Sequence, residues 1–284
     1  MFRTVQPLVF SFDVEWVPDP LSAARLFGLP VETPGERATA MERLWEHGGA
    51  TEETPRPYLK TILCRVVTLA GVLREAPGRD GEAPHLRLIS LPTRPELDWR
   101  EQEAHILKGF LEAVGRRRPQ LVGYNSSRAD VPILVQRAVV HGLESHGFAE
   151  RPEKPWLGVD YFSTASEFSV DLGPLLGRYG QMPTLHEAAV CSGIPGKIDQ
   201  SGANVVALWL EGRLAEIRAY NECDALSTHL LWARVAHFIG VLSPAAYAAE
   251  QAAVRALAEA GAEQEGGTHF RRFLSVWDHL QREP

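Results

Sequence analysis

Cysteine is scarce: there are three in 284 residues, at positions 64, 191 and 223, and none lies in a CxxC spacing. That removes thiolate zinc sites and dithiol redox chemistry and leaves the thiols to be read as small buried hydrophobes. The ten histidines form no HExxH and pair with no cysteine at zinc-finger spacing, so a histidine-built zinc centre has no anchor either. Also lacking are a GxxxxGK[ST] phosphate loop and a GxSxG nucleophile elbow, which sets aside nucleotide-driven motors and serine hydrolases. No apolar run approaches the roughly 20 residues of a membrane helix, and the opening MFRTVQPLVFSF has no cleavage pattern, so a cytoplasmic, membrane-free protein is expected. Basic excess is missing as well. A net charge of -7 argues against bulk electrostatic coating of nucleic acid, although a local basic groove would not register in the total.

What is present is an ordinary globular composition, 45% hydrophobic and 23% charged, in a chain long enough for one sizeable core. LVFSFDVEW (8–16) reads as a buried strand. The segment 17–58 breaks the pattern with prolines at 18, 20, 30, 34, 55 and 57 around one helix, ATAMERLWEHGG, and is expected to be an insertion or flap,. TILCRVVTLAGVLRE and HLRLISL, joined by the turn PGRDGEAP, form a hairpin, so the sheet opens as an antiparallel meander,. A helix over DWREQEAHILKGFLEAVGRRR ends in Arg116, Arg117 and Arg118, cations placed to favour its C-terminus,. The strand QLVGYN and the helix DVPILVQRAVVHG follow. Glycines and prolines then break 150–212 into short helices, among them LGPLLGRYG, which Asp171 would cap,. The long helix LAEIRAYNECDALSTHLLWARVAHFIG and two helical tail segments complete the chain. The expected organisation is an α/β domain over 1–242 with a mixed sheet, carrying the 17–58 insertion, and a helical extension over 243–284. That order is compatible with a ribonuclease-H-like layout, but topology alone assigns no function.

Three stretches carry acids worth weighing. Asp13 and Glu15 sit at i and i+2 in an apolar strand, so their carboxylates share one face about 6.6 Å apart along the chain and repel unless a cation lies between them. Oxygen donors that close suit a hard divalent ion, magnesium or manganese; the plainer alternative is a strand that stops at Phe12 with both acids in solvent. Asp130, in LVGYNSSRADVPIL, lies just past a strand end where open α/β sheets place ligands, and taken alone it reads as a helix cap,. Tyr220 and Asp224 are four apart and share a helix face,.

Together these stretches resemble the DEDD, or DnaQ-like, superfamily of 3'-5' exonucleases. Asp13-Val14-Glu15 matches the first motif, the GYNSSRAD stretch ending in Asp130 the second, and Tyr220-x-x-x-Asp224 the third in its tyrosine subtype, since Ala219 stands where the histidine subtype needs histidine. FDVEWVPD, VDLGPLLGRYG, GIPGKID and AEIRAYNECDALSTHLLW look closer still to bacterial predicted 3'-5' exonucleases related to the proofreading domain of family-B DNA polymerases, from about Pro7 to about Tyr247. The resemblance implies a ribonuclease-H-like fold with a central five-stranded mixed sheet. It also implies hydrolysis at the 3' end of single-stranded nucleic acid, DNA before RNA, with two Mg2+ or Mn2+ ions per site. Asp13 would bridge the ions, Glu15 and Asp224 complete one, Asp130 positions the other, and Tyr220 orients the attacking water. Trp16 stands where a small hydroxyl residue is common, and Ala129 where phenylalanine is. Trp16, Asn125 and Lys197 are candidate substrate contacts; Asn125 reads first as a turn residue, and Lys197 equally suits a solvated loop. Trp16, Phe27 or Trp45 could stack on bases or simply cover a small satellite core. An exoribonuclease or small-oligonucleotide hydrolase with the same site, and a non-catalytic nucleic-acid-binding module of the same fold, are the competing readings.

Overall fold

Alternation along the first strand, β1 (Leu8–Pro18), divides the molecule into two cores. In the computed structural model, which describes residues 2–79, 82–177, 180–198 and 205–282, Phe10, Phe12 and Val14 enter one apolar cluster while Val9 enters another. Successive strand side chains point to opposite faces, so Ser11, Asp13 and Glu15 share the face of Val9. Four further strands, β2 (Cys64–Glu75), β3 (His85–Leu91), β4 (Gln120–Gly123) and β5 (Ser169–Asp171), complete a sheet of order β3-β2-β1-β4-β5. The first three pair antiparallel, and β4 pairs parallel with β1 and β5. This is the mixed five-stranded sheet that was expected. Its edge strand β5 lies in a region read as short helices only: three residues are too few to reveal alternation.

The helices are α1 (Pro20–Phe27), α2 (Pro34–His47), α3 (Trp99–Arg117), α4 (Asp130–Val140), α5 (His146–Ala149), α6 (Leu172–Leu176), α7 (Leu185–Val190), α8 (Val205–Leu210), α9 (Leu214–Phe238), α10 (Pro244–Ala262) and α11 (Thr268–Arg282). Those from α1 to α5, with α8, pack on the Phe10 face. The other face receives α6, α7 and α9 to α11, including Val254, Phe270, Phe273 and Trp277 of the tail helices. Asp171 caps α6 as expected, its carboxylate accepting from the Gly173 amide at 3.2 Å. The Arg116 to Arg118 turn is exposed, with Arg117 ion-paired to Glu75 and Arg118 to Glu150. Cys64 and Cys223 are buried, but Cys191 is exposed, contrary to expectation.

The segment after β1 differs from a flap. Ala40, Met41, Leu44 and Trp45 of α2 are buried in the main Phe10 cluster, so Trp45 is a core residue rather than a stacking surface. The missed helix α1 starts at Pro20 behind Asp19, whose carboxylate accepts from the amides of Leu21 and Ser22; proline at the first helical position behind an aspartate cap is a start signal, not a break. Asp19 also receives Arg137 Nη2 at 2.8 Å, and Arg137 donates in turn to Glu103 Oε1 and Oε2 at 2.8 and 2.7 Å. Glu103 further accepts from the Val66 amide. This fully buried ion cluster joins the end of β1, β2, α3 and α4. Removing one partner from such a cluster strands a buried charge, at a cost of about 3–5 kcal/mol.

Candidate active site

Helix α9 packs on the face of β1 that carries Ser11, Asp13 and Glu15, and the contact is fixed at its buried end by Ser11 Oγ at 2.9 Å from His229 Nδ1. One turn and a half earlier along α9, Asp224 meets the strand acids. Asp13, Glu15 and Asp224 each offer a carboxylate oxygen within 4.8 Å of the others. Strand alternation aims the first two, and the helical repeat aims the third.

Asp130 arrives from the side. β4 pairs with β1 only as far as Ser11, so the backbone edge of β1 is unpaired beyond that point, and the chain leaving β4 turns into α4 there. Ala129, not Asp130, is the helix N-cap, and it makes no side-chain cap bond. Asp130 is instead the first helical residue, 4% exposed, and its carboxyl interacts with the backbone of Val14, between Asp13 and Glu15. The cap reading is therefore replaced by a buried acid turned toward the strand. On its other side β1 carries a register shift between Glu15 and Trp16 against β2, an irregularity of the kind that re-aims side chains beside functional sites.

Acids gathered and buried in this way resist ionising together. Burial, then repulsion from Glu15, Asp224 and Asp130, holds the Asp13 carboxyl well above the usual range. Burial and Asp224 push Glu15 up to about 8; burial pushes Asp130 up to about 7; and burial raises Asp224 despite the opposing pull of Lys197. Lys197 Nζ lies 3.6 Å from Asp224 Oδ2 and 5.2 Å from the centre of the Tyr220 ring. Burial works to lower the lysine's pKa, but the attraction of Asp224, Glu15 and Asp13 outweighs it and leaves the pKa raised. Tyr220 is near enough to Asp224 for each to move the other's ionisation, and burial, then Asp224, raises the phenol above its ordinary value. Its hydroxyl nevertheless completes no hydrogen bond of normal geometry, and neither does Asp224 Oδ1.

The remaining candidates fall into place unevenly. Asn125 adopts φ +59°, the left-handed turn conformation asparagine tolerates, yet its side-chain Oδ1 is buried without a partner. Trp16 is half-buried and packs against the Phe10 cluster, as does Phe27. Of the other acids in the 150–212 segment, which are not site candidates, Asp160 is held by Arg151 and by the Phe162 amide, and Asp171 by Ser127 and its capping role; Asp199 lies outside the described residues. One residue that sequence reasoning passed over is Asn221, whose Nδ2 donates to Asp13 Oδ2 at 2.7 Å.

The donor set fits a divalent ion: it consists of carboxylate oxygens alone, the donors a hard cation prefers, and an Asp224 oxygen is left orphaned among them. A family described as predicted 3'-5' exonucleases related to the exonuclease domain of PolB matches residues 56–277. The chain belongs to that family. The match takes in Asp130, Tyr220 and Asp224 and begins after β1. Among solved structures, the family B DNA polymerase from the hyperthermophilic archaeon Pyrobaculum calidifontis is similar to this exonuclease-family chain at 18% identity, with a TM-score of 0.48 over 90% of this chain and 29% of that one. No curated protein matches. Among the described residues, no helix is long and apolar enough to cross a membrane.

Proposed function

We propose that this chain is a metal-dependent exonuclease that hydrolyses phosphodiester bonds at the 3' end of single-stranded nucleic acid, DNA before RNA. The observation that carries the reading is the convergence of Asp13 and Glu15 from β1 with Asp224 from α9 within 4.8 Å. Three carboxylates do not gather so closely for stability, since Lys197 offsets their mutual repulsion only in part and burial and repulsion still hold them above the usual range,. The preference for DNA draws support from the family's relation to the exonuclease domain of PolB.

Asp13, Glu15, Asp130 and Asp224 would hold two divalent ions, Mg2+ or Mn2+. Such ions, when bound, lower the pKa of a water nucleophile and neutralise charge on the phosphate. Asp13 has the other acids around it, which suits a shared ligand, while Asp130, on a separate helix, suits the second ion. Tyr220 keeps its proton at neutral pH, so it acts by orienting a water or phosphate oxygen through its unpartnered hydroxyl and not as a base. Lys197, already drawn to Asp224, would turn its ammonium to the substrate phosphate once the acids are otherwise neutralised. Asn125, in the turn between β4 and Asp130, would lie near the terminal nucleotide, and the half-buried Trp16 borders the same end of β1.

The deciding assay incubates 3'- and 5'-labelled oligonucleotides, DNA and RNA, single- and double-stranded, with wild type and Asp224→Ala in Mg2+ or Mn2+. Mononucleotide release from single-stranded DNA 3' ends, abolished by the substitution, is expected. Intact oligonucleotide with either metal sinks the proposal; faster release from RNA moves the substrate class to RNA.

A further inference from the structure

Helix α9 contributes three side chains to the site, not two. Asn221 follows Tyr220 directly and precedes Asp224 by three residues, just under one helical turn,, so its side chain lies along the same face as the aspartate. It is fully buried, and its two polar ends are used unequally. The Nδ2 amide donates to Asp13 Oδ2 at 2.7 Å, whereas Oδ1 is buried without a partner. A buried amide that served packing alone would be expected to satisfy both ends, because an unpaired buried acceptor costs about 1–3 kcal/mol. Here that cost is accepted in exchange for one bond, made to the acid that has Glu15, Asp224 and Asp130 around it.

We infer that Asn221 is a positioning residue for the metal site: it grips one oxygen of Asp13, fixes the plane of that carboxylate against the repulsion of its neighbours, and leaves the other oxygen to bind an ion. The inference rests on the nuclease reading of the site. An amide suits the task because it donates without adding charge, whereas a lysine would compete with the ion and an acid would add repulsion. Partners of this kind behind metal ligands typically change metal affinity or activity by about 10–100-fold when removed.

The test uses two variants of the full chain, Asn221→Leu, which keeps the volume and removes the donor, and Asn221→Ala, which removes both. Binding of Mn2+ alone is measured from the free-ion electron paramagnetic resonance signal, beside wild type and Asp13→Asn, with circular dichroism melts in the presence and absence of the ion. The expected result is a Mn2+ dissociation constant raised about 10–100-fold in both Asn221 variants, with the melting-temperature difference from wild type larger with Mn2+ than without. Variants that bind Mn2+ within twofold of wild type overturn the inference and leave the nuclease reading standing. Loss of fold in both variants makes the contact structural and overturns it equally. Failure of the wild type to bind Mn2+ at all overturns the inference together with the reading it rests on.

Discussion

Lys197 Nζ stands 3.6 Å from Asp224 Oδ2, a cation on a loop facing an acid on α9. With no metal bound, the ammonium offsets part of the charge of Asp13, Glu15 and Asp224; in the proposed reaction it is released to the phosphate. Lys197→Met is therefore expected to lower turnover on single-stranded DNA by about 10²-fold, while Mn2+ affinity is kept or tightened because a competing cation is gone. A variant with full turnover, or with affinity lost in step with turnover, contradicts this role. Single-turnover kinetics beside direct ion titration separate the two.

Tyr220→Phe should leave folding and metal binding intact and slow hydrolysis by at least 10²-fold. The phenol hydroxyl is buried beside Asp224 and makes no hydrogen bond of normal geometry, so its removal should change the melting temperature little. A marked drop in melting temperature would mean that the hydroxyl supports the fold instead.

Metal affinity should climb between pH 6 and 8. Glu15 and Asp130, held up to about 8 and about 7, keep protons near neutrality that an incoming ion must displace,. The same shifts set the stability of the metal-free protein: a carboxyl whose pKa is raised on folding contributes stability below its unfolded value near 4, and that contribution is lost as the pH rises through 7 and 8. Metal-free melting temperature should thus fall from pH 5 to 8, and Mn2+ should restore it most at the alkaline end. Calorimetric titration in buffers of different ionisation enthalpy counts the released protons, and an affinity flat from pH 6 to 8 would refute the account.

Glu103 carries the opposite sign. Burial alone would raise its carboxyl, but hydrogen bonds from His141 and Arg137 and the nearby guanidinium charges hold it down to about 2. Its contribution is complete above the unfolded value of about 4.3 and disappears as the pH drops toward 2. Glu103→Gln is expected to cost about 3–5 kcal/mol at pH 7 and much less at pH 3, read from urea denaturation at both. An equal cost at the two values would remove ionisation from the explanation.

Periodicity made much of this legible. Two-residue alternation said that Asp13 and Glu15 share a face, and a four-residue spacing said the same of Tyr220 and Asp224; both pairs meet across the β1 and α9 contact. Asn221 was passed over because nothing in YNECD separates it from Glu222 until the rotation of α9 is known. In the structure Glu222 turns away to His269 of α11, at 2.9 Å, and Asn221 turns inward to Asp13. The available signal was its spacing of three residues from Asp224. The Asp19, Glu103 and Arg137 cluster was invisible for another reason: its members come from segments remote in sequence, and each reads singly as a surface charge. Asp130 is half legible: its place after a strand end can be read from the sequence, but its burial against β1 cannot, and the cap position belongs to Ala129.

Asp13 and Asn221 are 208 residues apart along the chain. During synthesis, Asp13 and Glu15 leave the ribosome before α9, in a strand that has no α9 to face. Contacts of such high sequence separation form late because the loop between them must first be closed. The acid cluster accordingly cannot assemble until residue 224 has emerged with room to fold. A chain halted anywhere before that point holds Asp13 and Glu15 without Asp224, and the proposed metal site is incomplete in it.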